Sequence, residues 1–490
     1  MRRLTLLIIL ISHGLVQSQH DPHFYPNRTT IVHLFEWKFD DIARECENFL
    51  GPNGYGAVQV SPITENAIIE PRPWWERYQP ISYLIASRSG GEEEFEEMVR
   101  RCHHAGVVVY VDVVLNHMAR HQNRIIGTAG SHADTAIKSF PMVPYTVHDF
   151  HPRCTIRNYH KAAEVRNCQL EGQLDLDQSK PNVQDHIADF LNELIKMGVG
   201  GFRIDAAKHM WPRDLADIYR KIDDLNPAFG FPIRAHPFIY QEVKDLGNEA
   251  VKKNEYNALG VVTEFRYAVE LAKLFRRKTP LKLLKNWGQE WNFLPSRDAL
   301  VFVDSYDTQR GRGPGVLTHR SRREYIMAVG FMMAHPYGIK RIMSSYKFTH
   351  PDQGPPADSN DNIISPKFDE DGQCRNGWIC EHRWREISNM VEFRNIVKDS
   401  PITAWWDNGN NQIAFCRKSK GFLVVNNEGN DLEQSLQTCL PKGSYCNVIS
   451  GRRNGTSCTG DTVEVGEDGM ATIRVPIEIG ILAIHIGEKL

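Results

Sequence analysis

Short apolar, β-branched runs that end in polar residues recur along the chain: YGAVQVSP (55–62), GVVVYVDVVLNH (106–117), GGFRIDAAKH (200–209), PFIYQEV (237–243), ALVFVDSYD (299–307) and HPYGIKRIMSS (335–345). Between them lie stretches such as EEEFEEMVRRCHHAG and VQDHIADFLNELIKMGVG, with apolar residues three and four apart and glycine near the end. That is helical spacing. Strand and helix alternating over about 380 residues predict a parallel sheet in an α/β fold. An open doubly wound sheet and a closed (β/α)8 barrel both satisfy the pattern. Carboxylates recur at the ends of the runs, as functional groups do at a barrel mouth, and no GxGxxG turn or Walker loop opens a helix, so the barrel is favoured.

Two stretches break the rhythm. Residues 116–176 are rich in His, Pro, Arg and Asn and poor in helical periodicity, which predicts a small inserted domain of irregular or β structure. The barrel is then assigned to 19–115 and 177–400. From 401 to 490, runs such as NQIAFC, GFLVVNN and ATIRVPIEIGILAIHIG are separated by Gly, Asn and Asp clusters, predicting an antiparallel β-sandwich domain.

Charge adds little: 58 basic residues face 60 acidic ones, so no excess points to nucleic acid or an anionic membrane. The first eighteen residues have Arg2 and Arg3, an apolar stretch from Leu4 to Ile11 and a small residue at Ser18. The stretch is too short to span a bilayer and reads as a secretory signal over 1–18, leaving a soluble, extracellular mature chain. Ten cysteines suit that oxidising compartment. Near neighbours group as Cys154–Cys168, Cys374–Cys380, Cys416–Cys439 and Cys446–Cys458, leaving Cys46 for Cys102, although the sequence admits many other pairings. Sequons stand at Asn27 and Asn454.

Asp112, Asp205, Glu242 and Asp307 end or closely follow apolar runs. Any one of them alone reads as a helix cap. Together, at strand ends of one barrel, they converge, and converging carboxylates raise one another's pKa until one serves as acid beside an ionised neighbour. Two carboxyls about 5–5.5 Å apart suit a retaining glycosidase. PRPWWERYQP (71–80) offers Trp74, Trp75 and Tyr78 as flat faces for sugar rings, beside Arg77 and Gln79, and at least one ring should face the cleft. His117 and His121 stand four apart, as helical zinc ligands do, but the glutamate of a metalloprotease motif is missing.

DVVLNH, GFRIDAAKH, YQEV and FVDSYD, in that order, resemble the motifs of the main alpha-amylase family of glycoside hydrolases, and in particular its secreted animal members, from about residue 19 to the C-terminus. The resemblance implies a TIM barrel with the insertion after the third strand. It implies Asp205 as nucleophile, Glu242 as acid/base and Asp307 as transition-state stabiliser. Trp74, Trp75, Tyr78, Gln79, Asp112, His117, Tyr159, Lys208, His209 and Tyr306 would line the sugar subsites. A calcium ion would be held by Asn116, Asp175 and the carbonyls of Arg166 and His209. The family's chloride site is matched by Arg203 and Arg341, but Ser305 replaces its asparagine, and Tyr306 replaces a histidine that bonds the reacting sugar. Chloride should therefore bind weakly or not at all, and activity should depend little on it. Gln173 and Lys244 stand where the family is usually apolar, QRGRGPGVLTHR (309–320) looks shorter than the usual glycine-rich loop, and Cys416–Cys439 looks like an extra bridge of some invertebrate amylases. The implied partner is a polysaccharide (starch, glycogen or maltooligosaccharides), cut within the chain at α-1,4 bonds by a monomer. The alternative is a weak or inactive homologue that binds glucans or another protein.

Overall fold

The computed structural model describes residues 19–120, 122–311 and 315–490. The expected signal at 1–18, His121 of the histidine pair weighed and set aside as zinc ligands, and the centre of the 309–320 loop lie outside them.

Eight parallel strands close a barrel: β1 (Thr30–Leu34), β2 (Ala57–Val60), β3 (Val108–Val113), β4 (Gly201–Ile204), β5 (Phe238–Gln241), β6 (Val261–Thr263), β7 (Ala299–Val301) and β8 (Ile339–Ser344). β1 pairs with both β2 and β8, which removes the sheet edge. The six apolar runs each contain one of these strands. β1 and β6 were not among them: β6 is three residues long, too short for any periodicity to register. β3 is buried throughout, the near-continuous apolar pattern of a strand covered on both faces. Helices Glu92–His104 and Pro181–Lys196 occupy the two stretches with helical spacing.

The barrel interior is unusually polar. Adjacent strands place His33 beside Gln59, Gln59 beside Tyr110, and Arg203 beside both Asp112 and Tyr240. Gln59 Oε1 accepts from the Tyr240 hydroxyl (2.8 Å) and from Arg341 (3.0 Å). Such groups persist in a core only when hydrogen-bonded or paired.

After β3 the chain leaves the barrel. His117–Arg120 pairs antiparallel with Gln173–Asp175, and a hairpin (Arg124–Ile126 with His132–Asp134) and a short helix (Ala162–Asn167) lie between. His117 therefore sits on a strand rather than a helix, and its Nε2 is bonded to the carbonyl of Tyr78 (3.0 Å). Beyond Pro401 the chain is antiparallel β: Ile402–Asp407, Gln412–Arg417, Gly421–Asn426 and Ile481–His485 form one sheet, and Leu432–Gln437 pairs with Met470–Val475. Phe422, Val424 and Ile473 belong to a core of its own, while Phe415, Leu423 and Val425, on the other face of its larger sheet, join the core of the barrel.

All ten cysteines are bonded, as the four near-neighbour pairs and Cys46–Cys102. Cys46–Cys102 ties the segments that follow β1 and precede β3. Among the described residues no helix is long and apolar enough to cross a membrane.

Candidate active site

The strand ends carry the acids to one place. Asp205 follows β4 with its N–H still bonded to Val113 O (3.0 Å), and Glu242 follows β5 with its N–H on Ile204 O (3.0 Å). Both thus extend the ladder by one residue and stand on the C-terminal rim, where barrel chemistry resides. Arg203, two residues before Asp205 and on the same strand face, gathers three carboxylates. Its Nη1 donates to Asp112 (2.6 Å) and Asp205 (2.9 Å), and its Nη2 lies 3.0 Å from Glu242. The backbone N–H of Ala206, a residue held in the left-handed region (φ 48°), donates to Glu242 Oε2 at 2.9 Å. Strained non-glycine backbone of this kind concentrates at functional sites.

Charge and burial set the proton positions. Burial pushes Asp205 well above the usual carboxylate range, and the neighbouring Glu242 pushes it further. Burial also acts to raise Glu242, but Arg203, the Ala206 N–H and Lys244 outweigh it and hold this carboxyl low. Asp112 is raised by burial against the pull of Arg203.

Above these acids opens a cleft of about 700 Å³, lined by Trp74, Trp75, Tyr78, Gln79, His117, Tyr159, Lys208, His209, Tyr306 and Asp307, with Asp205 and Glu242 at its floor. Gln173 and Lys244 also line it. Asp112 does not: it is 1 % exposed and bonded to the Tyr78 hydroxyl (2.9 Å) beneath the wall. Arg77 is likewise not at the rim, being fully buried against Glu36 (2.8 Å). All three rings of PRPWWERYQP reach the cleft, because Trp74–Tyr78 forms a single helical turn rather than an extended loop. On another part of the wall Lys208 bonds Glu249 and the carbonyl of Lys244, and its ammonium lies 5.1 Å from the Tyr159 ring centre.

Tyr306 packs as a sheet within the cleft wall. Its ring stacks on Phe35 (5.0 Å between centroids, 10° between planes) and on Tyr78 (5.4 Å, 21°), with Trp74 edge-on at 5.2 Å. Arg310 donates to its carbonyl (2.7 Å) from behind. The hydroxyl borders the cleft and makes no hydrogen bond among the described residues. Ser305, one residue earlier, donates to Asp307 Oδ1, while its N–H is bonded to Thr308 Oγ1 (2.9 Å). Sequence reading gave Ser305 no role beyond a lost ligand; nothing in DSYD shows that its hydroxyl turns toward Asp307. Arg203 as the hub of three acids was also missed, although its two-residue offset from Asp205 was visible.

The donor set at the junction of barrel and insertion fits a hard cation. Asn116 Oδ1 and Asp175 Oδ1 are both buried oxygens without a hydrogen-bond partner, while the other Asp175 oxygen is held by His151 (2.8 Å). Arg166 lies near the end of its helix, where carbonyls have no following turn, and the His209 ring bonds Val165 O (2.9 Å), drawing that segment to the barrel. The chloride set does not fit. Arg203 is spent on carboxylates, Arg341 bonds Gln59, and the Ser305 hydroxyl serves Asp307.

Comparison with known proteins gives the family. Residues 49–282 match the alpha amylase catalytic domain and residues 405–486 the alpha amylase C-terminal all-beta domain. The chain is 53 % identical over 488 residues to an alpha-amylase-related protein of Drosophila pseudoobscura pseudoobscura, covering 99 % of each. It is 54 % identical over 492 residues to that of Drosophila willistoni, covering 100 % of each. Its fold matches alpha-amylase I of Eisenia fetida, solved as a mutant in complex with maltohexaose, with TM-score 0.91 and 43 % identity over 95 % of this chain and 98 % of that one. The chain therefore belongs to the alpha-amylase family.

Proposed function

We propose that this protein hydrolyses internal α-1,4-glucosidic bonds of starch, glycogen and related glucans with retention of configuration. The observation that carries the reading is the convergence of Asp205 and Glu242 on one guanidinium at the floor of an aromatic-lined cleft. Asp205 attacks the anomeric carbon while Glu242 protonates the departing oxygen; Glu242 then takes a proton from the water that releases the sugar from Asp205. Asp307, oriented by Ser305, faces the positive charge that develops on the ring. Trp74, Trp75 and Tyr78 pack against sugar faces.

Before bond cleavage the proton must sit on Glu242 and leave Asp205 ionised. Arg203 and Lys244 oppose the first condition, and burial beside Glu242 opposes the second, so the proton must pass from Asp205 to Glu242 when the sugar fills the cleft. Asn116 and Asp175, with the carbonyls of Arg166 and His209, would hold calcium. The ion would supply a fixed tie between insertion and barrel and take no part in bond making.

Glu242→Gln removes the transferable proton with little change of shape. It is expected to lower kcat on soluble starch by about 10²–10⁴-fold while leaving the far-ultraviolet circular dichroism unchanged. Equal reducing-sugar release by the wild type and this variant would instead assign the chain to glucan or protein binding without catalysis.

A further inference from the structure

A second charged site is built into the outer wall of the barrel, away from the acids. Lys340 follows β8's first residue and precedes Arg341; since side chains alternate along a strand, it faces the helices while Arg341 faces the interior. There it is fully buried and donates to the carbonyls of Tyr337 and Gly338. Around it stand Arg394 from the helix Arg385–Val397, Arg417 from the strand Gln412–Arg417, and His335. All four are at most 8 % exposed. The acid that acts on both arginines is Asp399, which is exposed at the surface.

The hydrogen bonding is as one-sided as the charge. Arg417 spends its donors on the carbonyls of Ser400, Val397 and Ala334. Arg394 Nε and Nη1 are buried with no partner, and the Tyr267 hydroxyl and Trp287 indole N–H, which lie close enough to interact with each other, make no further bond. Tyr267 and Trp287 are in contact (5.1 Å between ring centroids), and Tyr267 lies within the field of Arg394. Unsatisfied donors thus lie where, even with burial driving Lys340 toward its neutral form, two buried arginines face one exposed acid. Water would satisfy the donors but leave the charge uncompensated, and buried charge persists in proteins when it is paired.

We propose that this cluster, at the seam between the barrel and the C-terminal β domain, binds a small monovalent anion of the halide class, held by Arg394 and Tyr267, with Trp287 beside Tyr267, and balanced by the arginines Arg394 and Arg417. The ion joins the helix Arg385–Val397 and the strand Gln412–Arg417 across the seam. Its site is distinct from the Arg203–Arg341 pair and from any catalytic step.

Crystals of the full mature chain soaked in sodium bromide, measured at the bromine absorption edge, test the assignment. The expected result is an anomalous peak within hydrogen-bonding distance of Arg394 Nε and the Tyr267 hydroxyl. In solution, the melting temperature should rise with bromide or chloride over gluconate at equal ionic strength. Tyr267→Phe deletes one donor and keeps the ring, and should weaken the bromide dependence about tenfold or more, as for a hydrogen bond to an ion. Arg394→Met should abolish both peak and dependence; should it fail to fold, the Tyr267→Phe comparison decides. Absence of a peak in this cluster, a peak only between Arg203 and Arg341, or an anion dependence unchanged by Tyr267→Phe overturns the proposal.

Discussion

Replacing Tyr306 by phenylalanine isolates the most distinctive residue of the cleft. The ring is a structural plate: it stacks on Phe35 and Tyr78 and meets Trp74 edge-on, with 5 % of its surface exposed. Phenylalanine keeps every one of those contacts. The hydroxyl has no hydrogen bond within the described protein, so its loss should leave folding stability within about 0.5 kcal/mol of wild type, as for substitutions that remove no packing. If instead the hydroxyl bonds the sugar, the variant loses about 1–3 kcal/mol of transition-state stabilisation. That is a fall of roughly 5- to 150-fold in kcat/KM. Tyr306→Ala is the counterpart. It empties a stacked, buried position and should cost about 3–5 kcal/mol of stability, with activity falling for structural reasons. The assay pairs kcat/KM on a defined maltooligosaccharide with guanidinium unfolding midpoints. A phenylalanine variant with full activity would show that the hydroxyl does not touch substrate; one with full activity loss and a matching stability loss would show that it is bonded within the fold.

Three further outcomes follow from the geometry. Lys244 helps hold Glu242 low, so Lys244→Leu should raise the pKa of the acid and move the alkaline limb of kcat/KM to higher pH, by a few tenths of a unit to about one; a shift toward acid would contradict the assigned proton donor. Chelation of divalent ions should lower the melting temperature of the wild type, whereas Asp175→Ala, which removes one of the two orphan oxygens, should melt low and be insensitive to the chelator in the same scan. Opening Cys416–Cys439, which closes 23 residues, by a double substitution to alanine should destabilise the C-terminal domain by about 3 kcal/mol in chemical denaturation.

The sequence and the structure meet where an effect is local or strictly periodic. Asp205 and Glu242 were legible because a parallel strand delivers the residue after its last ladder bond to the rim. β6 was not, because Val261–Thr263 gives a three-residue signal no different from chance. Asp112 and Arg77 were read as cleft residues from their neighbours, and the structure buries both; whether a polar side chain reaches solvent or folds back on a partner depends on residues far away, Arg203 in one case and Glu36 in the other. The anion cluster lies further still from sequence reading. Tyr267, Trp287, Lys340, Arg394 and Arg417 span about 150 residues and two domains, and none of them alone stands out from its neighbours in the chain.

The single guanidinium at the cleft floor leaves a surplus. Asp112, Asp205 and Glu242 share one Arg203, and Asp307 lines the same cleft, so the first cation to enter has carboxylate oxygens awaiting it. An iminosugar whose ring nitrogen is protonated should consequently outcompete its neutral oxygen analogue, and by a margin that shrinks as acidity titrates the carboxylates away.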